Sequence, residues 1–100
     1  MKVVKLSHPN YEYDVHSLVK AFYAEDQVTV ITPETKPEKL TELEPQVSLE
    51  IELAETGAKI RVGEEDFLWD AETETIADGY KNGLKRFLYR TLSKVTGQKL

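Results

Sequence analysis

Residues 47–53, Val-Ser-Leu-Glu-Ile-Glu-Leu, decide the fold, because apolar and polar side chains alternate along them without interruption. Alternation at a period of two predicts a β-strand with one buried face and one exposed, acidic face. The pair Thr56-Gly57 is typical of a tight reversal, and residues 58–62 form a second alternating run. The segment therefore predicts a β-hairpin with its basic side chains opposite the acids of the first strand.

A strand, a helix and a second strand are predicted before this hairpin. Residues 3–6 form a short apolar strand, and Asn10 is positioned to cap the helix that follows. We predict that helix over residues 11–25, and residues 28–32 form a strand rich in β-branched side chains. The apolar side chains with helical spacing are Val15, Leu18, Val19 and Phe22.

Two segments are harder to assign. The stretch from Pro33 to Pro45 contains three prolines and many charges, which predicts an exposed loop that is either mobile or a functional flap. Residues 63–70 either extend the hairpin or form a loop with Trp69 folded into the core. We interpret Trp69 as a core anchor.

A second, longer helix is predicted to start within residues 71–75 and to end at Gly97, a natural left-handed C-cap. The order β-α-β-β-β-α predicts an α+β fold, with two helices packed on one face of a mixed or antiparallel four-stranded sheet. We therefore expect one domain over residues 1–97.

Composition excludes several kinds of chemistry. The chain has 100 residues, a net charge of −5 and no cysteine, which excludes disulfides, thiol catalysis and thiolate-held metals within it. The two histidines, His8 and His16, are too few for a three-histidine metal site and are interpreted as loop and boundary residues. We predict no catalytic, cofactor-binding or metal-ligating residue here. With no long apolar run and no signal peptide, we expect a cytoplasmic protein.

Charge is distributed unevenly along the chain. The last 21 residues hold six Lys or Arg and no acid, so this part carries +6 and the remainder −11. A basic helix on an acidic body has three interpretations: a solvated face, a docking face for another protein surface, or a site for RNA or a phosphorylated ligand.

A helical wheel of the last helix separates a core side from an outward side. The core side contains Ile76, Tyr80, Leu84, Phe87, Leu88, Thr91, Leu92 and Val95. The outward side, which we predict to be the partner-docking face, contains Asn82, Lys85, Arg86, Tyr89, Arg90 and Ser93. Tyr89 lies nearly opposite the apolar centre, where an uncovered aromatic ring is costly.

Residues 82–100, Asn-Gly-Leu-Lys-Arg-Phe-Leu-Tyr-Arg-Thr-Leu-Ser-Lys-Val-Thr-Gly-Gln-Lys-Leu, are similar to a known family segment. They resemble the stretch just upstream of the catalytic core in HemZ-type oxygen-independent coproporphyrinogen III oxidases. There, a pattern like Asn-x-Leu-Lys-x-x-Leu-Tyr-x-x-Leu-Ser precedes a Thr-Gly-Lys-like turn and then a radical S-adenosylmethionine domain. The rest of the chain resembles the family only loosely.

The resemblance implies a noncatalytic N-terminal accessory domain of an enzyme of porphyrin synthesis. The parent enzyme would oxidatively decarboxylate two propionates of coproporphyrinogen III with a [4Fe–4S] cluster and S-adenosylmethionine. The family's Cys-x3-Cys-x2-Cys motif is absent from these residues. Residues 98–100 would begin the linker to the catalytic domain of the same polypeptide, which is the expected partner; no membrane partner is expected.

Two alternatives belong to other functional classes. A βββα half with a basic last helix superficially resembles double-stranded RNA-binding domains, which contact phosphates without reading bases. The −11 body and the acid Asp78 in the early part of that helix argue against nucleic acid. The other alternative is a stand-alone protein-interaction domain.

Overall fold

The computed structural model describes residues 1–24, 27–70 and 79–99. Its strands are β1 (Lys2–Leu6), β2 (Val28–Ile31), β3 (Val47–Ala54), β4 (Gly57–Val62) and β5 (Glu65–Asp70). Its α-helices are α1 (Glu12–Tyr23), α2 (Pro37–Leu43) and α3 (Gly79–Thr96), and a 3₁₀ turn over Glu44–Gln46 follows α2.

The five strands form one mixed sheet in the order β2-β1-β3-β4-β5. Strand β1 is parallel to both of its neighbours, whereas β3, β4 and β5 form an antiparallel meander. The predicted α+β class and mixed sheet are confirmed, but the described residues form a sheet of five strands rather than four and three α-helices rather than two.

The main core lies between one face of the sheet and helices α1 and α3, as predicted. Every second residue of the strands points into it, because side chains alternate across a sheet. Buried members from the sheet are Val4, Leu6, Val28, Leu49, Ile51, Ala58, Ile60 and Trp69. Buried members from the helices are Val15, Val19, Phe22, Leu84, Phe87, Leu88 and Leu92.

On the opposite face of the sheet, α2 covers the part formed by β1 and β2. Leu43 is buried there against Val3 and Ile31, and Leu40 packs at the margin. The prediction of an exposed loop from Pro33 to Pro45 was therefore wrong. Proline is compatible with the first turn of a helix, where its missing N–H has no intrahelical partner; Pro37 takes that position in α2.

Residues 65–70 are a true strand, which resolves the ambiguous segment. A turn around Gly63, whose φ is 63°, brings β5 back beside β4. Phe67 and Trp69 point toward the helices, and Trp69 is 4% exposed. Trp69 is thus confirmed as a core anchor.

The helix ends differ in how well they were predicted. Helix α1 begins at Glu12, and its N-cap position is Tyr11 rather than Asn10, with no side-chain cap bond. Gly97 is confirmed as the end of α3: its φ is 72°, and its N–H donates to the carbonyl of Ser93 at 2.9 Å. The predicted start of this helix within residues 71–75, and with it Asp78 and Ile76, lies outside the described residues.

We expect Leu43→Ala to lower the free energy of unfolding by about 2–4 kcal/mol, because it removes a buried contact that holds α2 on the sheet. The matched control is Leu68→Ala, since Leu68 is 78% exposed and its loss should cost less than about 0.5 kcal/mol. Urea denaturation of both variants measures the difference. Equal costs would show that α2 is not anchored as described.

Candidate functional site: the outer surface of helix α3

The orientation of α3 about its own axis is set by its apolar side chains. Leu84, Leu88 and Leu92 recur at intervals of four residues, and all three are buried in the main core. Asn82, Arg86 and Arg90 have the same spacing, offset by two residues, and all three are exposed. They form one row along the helix, which we call the outer row (Asn82, Arg86 and Arg90).

Lys85 is exposed but lies toward α1 rather than in the outer row. Its Nζ is 3.8 Å from a carboxylate oxygen of Asp14 on α1, and the Nζ of Lys81 is 3.8 Å from the other oxygen. The Asp14 side chain is 19% exposed, whereas those of Lys81 and Lys85 are 59% and 46% exposed. Two such pairs contribute on the order of 1 kcal/mol or less each. Their main effect is to place opposite charges on facing helices.

Tyr89 does not occupy the outward position that the wheel assigned to it. It is half-buried, and its ring meets Phe22 of α1 edge-on at a centroid distance of 5.1 Å. A wheel locates the side that faces the sheet, but here α1 packs beside α3 and covers a second side. This placement of Tyr89 was wrong.

Two residues near the C-terminal end of α3 also differ from the sides that the helical wheel assigned to them. Ser93, assigned to the outward side, is half-buried and its Oγ is inaccessible to solvent. Val95, assigned to the core side, is 38% exposed. Of the six predicted docking residues, the structure leaves Asn82, Lys85, Arg86 and Arg90 exposed, and half-buries Tyr89 and Ser93.

A cavity of about 570 Å³ was not anticipated from the sequence. It lies where β1 and β3 end, next to the start of α1. Its lining is Ser7, His8, Asn10, Tyr11, Glu52, Leu53, Ala54, Glu55 and Tyr80. These residues come from three separate parts of the chain, and no short motif unites them, so periodicity and spacing carry no signal for the cavity.

Two tyrosines form the aromatic part of this cavity. The rings of Tyr11 and Tyr80 stack at a centroid distance of 5.6 Å. The Tyr80 hydroxyl donates a 2.7 Å hydrogen bond to the carbonyl of Gly57, which ties α3 to the β3–β4 hairpin. Burial raises the pKa of Tyr80 above its ordinary value, so this phenol stays protonated at neutral pH.

The two histidines lie in separate environments. His8 is exposed in the β1–α1 loop, and His16 is half-buried with Nε2 3.0 Å from the Val28 carbonyl oxygen. Across residues 1–24, 27–70 and 79–99, no group of three or more His, Asp or Glu side chains is arranged to hold a metal ion. No cysteine is present to ligate an iron–sulfur cluster.

Comparison with known proteins does not identify a relative of this chain. Protein-family models, curated proteins and solved structures give no match to this chain. None of the helices in the described part of the chain has the length and apolar character needed to cross a membrane.

On the open part of the sheet, ion pairs link β3 to β4 and β4 to β5. Glu52 meets Lys59 at 3.5 Å, as the hairpin register predicted, but Arg61 turns to Asp66 at 2.8 Å. Hydrogen bonding from Arg61 holds the pKa of Asp66 below its ordinary value. The stabilisation from this pair is therefore present above the ordinary aspartate pKa and is lost as pH falls through the lowered one.

We expect Arg61→Gln to raise the pKa of Asp66, because the charged hydrogen-bond donor is removed. A carbon-detected NMR titration of the Asp66 carboxyl measures this directly. The matched control is Lys39→Gln, which removes an exposed cation of α2 and should leave the Asp66 titration unchanged. An unchanged Asp66 titration would contradict the role given to Arg61.

We expect Tyr89→Ala to lower the free energy of unfolding by about 2 kcal/mol, because it removes the ring contact between α1 and α3. The matched control, Tyr13→Ala, removes an 82% exposed tyrosine of α1 and should change stability by less than about 0.5 kcal/mol. Thermal denaturation followed by circular dichroism compares the two. If both variants melt with the parent chain, Tyr89 does not hold the helices together.

Proposed function

We propose that this chain is a noncatalytic accessory domain of a radical S-adenosylmethionine, oxygen-independent coproporphyrinogen III oxidase-like protein. In this proposal the outer row of α3, with Lys85 beside it, docks onto the catalytic domain of the same polypeptide. The iron–sulfur cluster and S-adenosylmethionine would be bound by that domain, because this chain contains no cysteine ligand.

The observation that carries the proposal is the exposure of the family-like positions. Asn82 and Lys85 belong to the pattern shared with HemZ-type enzymes, yet neither contributes to the core. Side chains that match a pattern without being needed for packing are candidates for contacts outside the domain. Arg86 and Arg90 extend the same exposed surface, and arginine is enriched at protein interfaces.

Tyr89 and Ser93 take a different role in the proposal from the one their sequence positions predicted. Tyr89 matches the shared pattern, and its contact with Phe22 gives it an internal reason to do so. We therefore place it beneath the docking surface, where it orients α3, rather than on that surface. Ser93, whose Oγ is buried, lies at the margin.

The charge distribution favours a protein partner over duplex RNA. Lys81 and Lys85 face Asp14, so part of the positive charge of α3 is balanced by α1. Binding to phosphates depends on a concentrated, unbalanced positive surface. The exposed acids of the sheet, among them Glu52 and Asp66, further weaken attraction for a polyanion.

The test is the double variant Arg86→Ala/Arg90→Ala in the parent enzyme. We expect activity to fall about tenfold, because loss of roughly 1.4 kcal/mol of domain contact reduces the competent arrangement by that factor. The matched control, Lys36→Ala/Lys39→Ala, removes two exposed cations beside and within α2, on the opposite face of the sheet.

Stability must be measured in the same variants, since the side chains of α3 also make contacts within the domain. The proposal expects reduced activity in a domain that melts like the parent. Full activity in the Arg86→Ala/Arg90→Ala enzyme, with the domain intact, would overturn it.

A further inference from the structure

Strand β2 lies at one edge of the sheet, and in the described part of the chain it pairs with β1 alone. The N–H of Lys2 on β1 donates to the carbonyl of Gln27 at 3.0 Å, which fixes the alternation of the backbone groups that follow. The N–H and C=O of Thr29 therefore point toward β1. Those of Val28 and Val30 point away from the sheet, where a further strand can bond to them.

One of these edge groups also has a partner from α1. The Nε2 of His16 lies 3.0 Å from the carbonyl oxygen of Val28, and because that oxygen can only accept, the ring nitrogen donates. A carbonyl oxygen has two lone pairs, so Val28 can still accept a second bond from a neighbouring strand. The bond also places the His16 side chain at this edge of the sheet.

Strand β2 lacks the charges that commonly protect an edge strand from pairing. Its sequence is Val-Thr-Val-Ile, whereas the other edge strand, β5, contains the acids Glu65, Asp66 and Asp70. An antiparallel pair of β5 strands would set the acids of one copy near those of the other, which is unfavourable. An antiparallel pair of β2 strands brings no like charges together.

The side of α1 next to β2 carries charges that are complementary to themselves. Glu12, His16 and Lys20 recur at intervals of four residues and form one row, which we call the α1 row. The bond from His16 to β2 places this row at the sheet edge, whereas Asp14 faces α3. Glu12 and Lys20 are exposed. A two-fold axis reverses the row in a second copy, so Glu12 of one copy meets Lys20 of the other.

We propose that a second copy of this chain pairs with β2, so that two five-stranded sheets join into one sheet around a two-fold axis. The two β2 strands run antiparallel, with Thr29 of each copy opposite Thr29 of the other. Val28 of one copy bonds to Val30 of the other through both N–H and C=O. The two α1 helices then meet along the α1 row. This interface is separate from the outer row of α3, because α1 lies between them.

The first test measures the mass of the 100-residue chain by sedimentation equilibrium at rising concentration. We expect a dimer to form. Thr29→Lys, at a half-buried position, would place two ammonium groups opposite each other at the two-fold axis and weaken association at least about tenfold. The matched control, Leu68→Lys, adds the same charge to β5 at a side chain that is 78% exposed, and should associate like the parent chain.

The second test changes the charges of the α1 row at exposed positions, where substitutions rarely affect folding. Glu12→Lys and Lys20→Glu each replace attraction across the axis with repulsion, and each should weaken self-association about fivefold. An equal mixture of the two variants restores opposite charges in a mixed dimer. We expect this mixture to associate at least as tightly as the parent chain.

Amide hydrogen exchange shows which surface associates. Exchange at Val28 and Val30 should slow as the concentration rises, because their N–H groups become bonded, whereas exchange in β5 should not change. The proposal is overturned if the chain remains a monomer at about 1 mM, if a folded Thr29→Lys chain associates like the parent, or if the two charge variants bind each other no better than themselves.

Discussion

The contact between α1 and α3 is the constraint on which the arrangement of this domain depends. Phe22 and Tyr89 meet edge to face, and Asp14 lies opposite Lys81 and Lys85 along the same pair of helices. Together with the leucines that point to the sheet, these contacts leave one side of α3 exposed in the described part of the chain. The outer row points outward because the sheet and α1 pack against the other sides of the helix.

The two faces of the sheet are covered by different elements. One face is covered by α1 and α3 and holds most of the buried apolar side chains. The other is covered near β1 and β2 by α2, through a small cluster centred on Val3, Ile31 and Leu43. The charged pairs of β3, β4 and β5 occupy the remaining part. The parallel strands also bring their carboxyl ends together, which creates the cavity next to α1.

The parts of the fold that could be predicted are those in which local pattern and tertiary burial agree. The alternating strand of residues 47–53 pairs as its side chains indicate, and Gly97 ends α3 because only a left-handed residue closes that helix easily. Helix α2 escaped prediction because its seven residues bury one leucine fully, and prolines flank it. Strand β5 was obscured by acids, although Phe67 and Trp69 alternate correctly.

In the candidate site, too, only the features that follow from local periodicity could be predicted from the sequence. Exposure of Asn82, Arg86 and Arg90 follows from the period of a single helix. The half-burial of Tyr89 does not, because it depends on where α1 lies, and no local pattern specifies the angle between two helices. The cavity depends on strand order and on the stacking of Tyr11 with Tyr80, both of which are tertiary.

The proposed docking of the outer row of α3 onto a second domain can be tested directly. The most direct measurement titrates the ¹⁵N-labelled chain with a separately produced radical S-adenosylmethionine domain, the proposed partner, and maps which amides change. We expect broadening or shifts concentrated at Asn82, Arg86 and Arg90. Changes confined to β4 and β5, or no change at concentrations well above those typical of linked domains, would contradict it.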